Sequence, residues 1–124
     1  MVALRSSVFF VLILCACVHT AQGGNVSIDT SVDACFRLND VSLDMSVEPV
    51  ILSASVTPAI ASGSCPCKSA LFKYSAYQNG ANSSLITGVF TTLGKEVVSL
   101  PVAAQTQLIF PDQGLTINLA CSAP

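Results

Sequence analysis

The chain has 124 residues, of which 52% are hydrophobic and 10% charged. That is too apolar for a disordered segment and enough for one small domain rather than two. Seven Asp and Glu against five Lys and Arg give a net charge of −2, a balance that excludes the basic footprint of a nucleic-acid binder.

In chain order, the first element is a leader. Arg5 precedes an apolar run from Val8 to Val18, which is too short and too close to the N-terminus for a spanning helix. A cation, an apolar run and then small residues describe an export signal. Ala21 and Gly23 fit positions −3 and −1, so cleavage is expected between Gly23 and Gly24, giving a signal peptide at 1–23 and a single domain at 24–124. Such a cut removes Arg5 and takes the net charge to −3. A rival reading takes Leu14-Cys15-Ala16-Cys17 as a degenerate lipoprotein box, with Cys17 as a lipid anchor. Either way the expected product is exported, periplasmic or extracellular, with no membrane span.

The rest of the chain alternates with period two. In "DVSLDMSV" Val41, Leu43, Met45 and Val47 share one face and Ser42, Asp44 and Ser46 the other, the pattern of a strand with one wet side. "PVILSASVT" is short and β-branched, and "TPAIASGS" (57–64) reads as a longer loop. "KSALFKYSAY" sets Ala70, Phe72, Tyr74 and Ala76 against Leu71, Lys73, Ser75 and Tyr77. Asn79-Gly80 in "NGANSS" suits a turn with positive φ. "LGK" (93–95) fits a tight hairpin between "LITGVFTT" and "EVVSLPV". Within the latter, Pro101 cannot donate to a ladder, which predicts an edge strand or a bend. "PDQG" (111–114) is a turn, and "LTINLAC" sets Leu115, Ile117, Leu119 and Cys121 on one face. Turns about every ten residues, with no amphipathic helix after the leader, predict an all-β fold. The expectation is a small antiparallel, immunoglobulin-like β-sandwich of seven or eight strands.

Four cysteines follow the leader: Cys35, Cys65, Cys67 and Cys121. An even number in a small exported domain predicts disulfides. Cys65 and Cys67 are two apart, so in extended chain their sulfurs point to one side and can reach separate partners. A Cys65–Cys67 ring through Pro66 is strained. Two long bridges, from Cys35 and Cys121 to the pair, are therefore expected. Spacing does not decide which of the pair takes which partner; the reading leans to Cys35 with Cys65 and Cys67 with Cys121. The competing use of Cys65 and Cys67 is a thiol-based metal or redox site, with Cys35 and Cys121 completing a four-thiolate zinc set or Met45 assisting copper. The spacing lacks Cys-x-x-Cys knuckles and no thioredoxin-like βαβ unit is present.

Catalytic constellations are missing. The only histidine, His19, lies in the leader, which removes the commonest general base near neutral pH. There is no Gly-x-Ser-x-Gly elbow, no Ser-x-x-Lys and no phosphate-binding glycine loop. Ser69 and Lys73, four apart on a predicted strand, share a side but are too distant to bond. Asp29, Asp33, Asp40, Asp44 and Glu48 have no EF-hand spacing and read as solvated strand and loop acids rather than a calcium site. Phe72, Tyr74 and Tyr77 read as core before they read as a binding patch. Asn25 and Asn82 head glycosylation sequons that carry meaning only in a eukaryotic secretory pathway. No catalytic, cofactor-binding or metal-binding residue is assigned.

"CPCKSALFKYSAY" and the ending "LTINLACSAP" resemble a family of small exported bacterial proteins of unknown function. The resemblance covers most of the chain after the leader. It implies a periplasmic or envelope location and supplies no activity, so no functional residue is carried over. The expectation is an exported, non-enzymatic, disulfide-stapled sandwich without cofactor, which binds another protein through an edge strand near Pro101 or packs into an envelope assembly.

Overall fold

The structure is a computed structural model and describes residues 25–59, 62–110 and 112–123. The expected signal peptide and cleavage site, with Cys17 and His19, lie outside the described residues. Seven strands run in chain order: β1 (Val26–Thr30), β2 (Phe36–Asp44), β3 (Val50–Pro58), β4 (Leu71–Gln78), β5 (Ile86–Thr91), β6 (Val97–Ala103) and β7 (Leu115–Cys121). They form two sheets, β1-β7-β4-β5 and β2-β3-β6. The fold is the expected all-β sandwich, and the barrel is not closed.

Side-chain alternation builds the core. Phe72, Tyr74 and Ala76 of β4, Leu115, Ile117 and Leu119 of β7, Val50, Leu52 and Ala54 of β3, and Val98, Leu100 and Val102 of β6 are all buried between the sheets. The period-two pattern thus becomes an inner face on β3, β4, β6 and β7. Phe36, Phe72, Tyr74 and Phe90 form an aromatic cluster with ring centroids 4.7–5.9 Å apart, within the range of favourable edge-to-face and tilted pairs.

Two bulges reconcile the pattern with the ladder. On β2, Asn39 faces Ser55 and Ser42 faces Ser53, so Asp40 and Val41 together oppose Ala54. The extra residue switches parity: Phe36 and Leu38 face inward before it, Val41 and Leu43 after it. Asp40 takes φ 52° there, a conformation that Asp tolerates better than most residues. On β6, Val50 faces Ala103 and Ile51 faces Pro101, leaving Val102 as the extra residue. β6 is an edge strand and bends beside Pro101, so both forms of the proline expectation hold.

Three differences from the sequence reading follow. β1 is a strand that the alternation does not mark, and it pairs parallel with β7, where an antiparallel sandwich is expected. A parallel pair needs a long crossover, and here almost the entire domain lies between the first strand and the last. The "LGK" turn is no hairpin: Lys95 N–H donates to Thr92 O and Gly94 has φ 66°, but β5 and β6 belong to different sheets. The turn carries the chain from one sheet to the other. Last, β2 stops at Asp44, so Met45 and Val47 fall in the following bend and Val47 is 44% exposed.

Candidate functional site

The strand directions give the sandwich two poles. At one pole lie the start of β2, the end of β3, the start of β4 and the end of β7, and all four cysteines meet there. Cys35 closes the short turn before β2, its N–H donating to Val32 O at 2.8 Å. Ala59 N–H donates to Cys35 O, continuing the β2–β3 pairing to the cysteine. Cys65 and Cys67 follow a 3-10 turn at Ser62–Ser64. Cys121 is the last residue of β7, opposite Phe72 in register.

Cys35 is joined to Cys65 with Cα atoms 4.6 Å apart, and Cys67 to Cys121 with Cα atoms 5.2 Å apart, both within ordinary disulfide spans. The bridges are also neighbours. Cys35 Sγ lies 3.9 Å from Cys67 Sγ, and the Sγ atoms of Cys35, Cys65 and Cys67 lie within 4.8 Å of one another. Cys35, Cys67 and Cys121 pack against the hydrophobic core. Cys35 and Cys65 line an open groove of about 650 Å³ with Phe36, Phe72, Leu93 and Lys95. While the sulfurs are bonded in pairs they are not thiolates, and a soft metal requires thiolates. The cluster is compatible with structural bridges and, after reduction, with metal or redox chemistry.

A second region is the flank where β5 and β6 lie, each the outer strand of its sheet. β6 is guarded by Pro101 and its bulge, and Tyr74 Oη donates to Pro101 O at 2.7 Å across the sandwich. Burial pushes the Tyr74 phenol up from its ordinary pKa, since the phenolate loses solvation there. β2, on the other flank, carries Arg37, Asp40, Asp44 and a bulge, and β1 is only five residues long with Asp29 in it. β5 reads "ITGVFT", without charge, proline or bulge. Val89 on β5, Leu93 in the turn and Val97 at the start of β6 are 59%, 71% and 55% exposed. The unprotected edge is therefore β5, whereas Pro101 sits on the guarded one.

The remaining sequence-marked residues are dispersed. Ser69 precedes β4 instead of lying on it, and its Oγ accepts from Leu71 N–H. Phe72 and Tyr74 are core. Asp44 Oδ1 accepts from the hydroxyl and N–H of Ser46, which hold its carboxyl below the usual range. Glu48 Oε1 accepts from Thr106. Asn25 and Asn82 are exposed. Sequence reasoning missed β5 as the open edge; the signal available was a six-residue run lacking any gatekeeper.

A two-sheet sandwich stapled at one pole by two disulfides is the build of a small protein from an oxidising compartment. Among the described residues no helix is long and apolar enough to cross a membrane. The chain belongs to a bacterial family: the family model described as an uncharacterized protein conserved in bacteria (DUF2195) matches residues 9–124. That agrees with the resemblance drawn from the cysteine segment and the C-terminal strand. No curated protein and no solved structure matches the chain significantly.

Proposed function

We propose that this protein is an exported, non-enzymatic envelope or secreted module that binds another protein by strand addition at β5. The observation that carries the reading is the unguarded β5 edge, with Val89 on the strand and Leu93 in the turn after it both exposed. A bare edge offers main-chain donors and acceptors to an incoming strand, and the exposed Val89 and Leu93 offer side-chain contacts. Export is supported by the leader pattern and by the two disulfides, which persist in oxidising compartments. The mature domain is 24–124, cut after Gly23, with lipidation at Cys17 as the rival processing route. Intact mass of the exported protein separates the two, and retention of residues 1–23 contradicts both.

The binding reading is tested with a photo-crosslinking residue placed in the native bacterium, either at Val89 on β5 or at Ser42 on β2. A discrete adduct from Val89 and none from Ser42 is expected. Adducts of equal yield from both positions, or none from Val89, overturn it. A second reading, a thiol-based metal or redox protein, is favoured by the proximity of the Cys35, Cys65 and Cys67 sulfurs. Free thiols with bound zinc or copper in protein purified from its own compartment would select it.

A further inference from the structure

We infer that the two disulfides are one exchange unit: a dithiol that opens Cys35–Cys65 from the groove drives a shift to a Cys35–Cys67 bridge and releases Cys65 and Cys121 as thiols. This goes beyond the strand-addition reading and does not depend on it, because it concerns the cysteine pole alone. Three observations carry it. The Cys35–Cys65 bridge lines the 650 Å³ groove, so an incoming thiolate has access to it. Cys35 Sγ is already 3.9 Å from Cys67 Sγ, a sulfur to which it is not bonded. Cys35, Cys67 and Cys121 pack on the core, whereas Cys65 does not number among those packed residues. The sulfur that the exchange leaves in the groove is therefore the one with the least packing to lose.

The step follows ordinary thiol–disulfide exchange. One thiolate of the dithiol attacks Cys65 Sγ; the Cys35–Cys65 bond breaks and its electron pair goes to Cys35. The Cys35 thiolate attacks Cys67 Sγ; the Cys67–Cys121 bond breaks and its pair goes to Cys121, which takes up a proton. The second thiol of the dithiol then attacks the mixed disulfide, leaves as a cyclic disulfide and releases Cys65, which is protonated in turn. The dithiol is oxidised by two electrons, and the protein gains two thiols while keeping one bridge. Proximity favours the second attack, since two groups held in contact react at a high effective concentration.

The test is titration of the purified, oxidised protein with limiting dithiothreitol. Trapping with N-ethylmaleimide and non-reducing peptide mapping follow, with fragmentation at the Cys65–Pro66 bond to separate the two sulfurs. The expected two-electron species carries label on Cys65 and Cys121 and a Cys35–Cys67 bridge. Label on Cys35 and Cys65 with Cys67–Cys121 intact overturns the inference, as do label on Cys67 and Cys121 with Cys35–Cys65 intact and passage to four thiols without an intermediate. The Cys121→Ser variant gives a second reading without reductant. Its single thiol is expected to label predominantly at Cys65, and label at Cys67 alone counts against the exchange.

Discussion

The two poles of the sandwich are closed by different chemistry. At the cysteine pole, two covalent bridges tie the turn before β2 and the end of β7 to one short segment, Cys65-Pro66-Cys67. At the other pole polar side chains do the closing. Gln78, buried at the end of β4, accepts from Phe110 N–H at 2.9 Å. Thr116 Oγ1 bonds Asn79 Oδ1, Asn79 N–H donates to Gly114 O, and Glu48 accepts from Thr106. A covalent closure acts mainly by restricting the unfolded chain. A hydrogen-bonded one acts only in the folded state, and each bond contributes about 1 kcal/mol. The cysteine pole should therefore dominate stability.

The comparison breaks first at the longer bridge. Replacing Cys67 and Cys121 by Ala opens a 54-residue separation, and the chain-entropy model gives a loss of about 4 kcal/mol in urea unfolding. The Cys35/Cys65 pair, 30 residues apart, should cost slightly less, about 3.5 kcal/mol. A loss below 1 kcal/mol for both pairs would move the weight to the polar pole. At that pole, Gln78→Ala removes the acceptor of the part-buried Phe110 N–H, with an expected cost of about 1 kcal/mol. Near the middle, a Cβ on Gly88 would lie 2.7 Å from Tyr74 Cε1, and the ring is held by the bond from Tyr74 Oη to Pro101 O. Gly88→Ala should cost roughly 1–3 kcal/mol through overpacking, and less in a Tyr74→Phe background, which removes the Oη contact and the bond that holds the ring.

The smallest effect concerns Asp44. Its carboxyl is depressed by the bonds from Ser46, so the ionised form stabilises the folded state above the unfolded carboxylate pKa. That contribution fades as pH falls through the folded value. Ser46→Ala should raise the Asp44 pKa in an NMR titration with no visible change in unfolding at pH 7. An unchanged pKa would remove the Asp44–Ser46 contact from the account.

The sequence carried the two poles unequally. Strand faces were legible where an inward residue recurs every second position without interruption, as in Phe72-Tyr74-Ala76 and Leu115-Ile117-Leu119. The i,i+2 spacing of Cys65 and Cys67 put both sulfurs on one side, but which partner each meets depends on the chain path after Pro58, which spacing does not encode. The β2 bulge was hidden because Asp40 carries the positive φ that glycine would have advertised. A turn signal marks where the chain reverses, not which sheet receives it, so "LGK" could not separate a hairpin from a sheet crossing. The polar pole was illegible for a related reason. Gln78 sits on the inward parity of β4, and only the returning loop at Phe110 supplies its partner.

The most direct test is the disulfide map of the oxidised protein, made under denaturing, non-reducing conditions with fragmentation across Pro66. The account predicts a mass about 4 Da below the reduced chain, as two disulfides require, with Cys35 linked to Cys65 and Cys67 to Cys121. A Cys65–Cys67 ring with Cys35 joined to Cys121, or four free thiols, would contradict it.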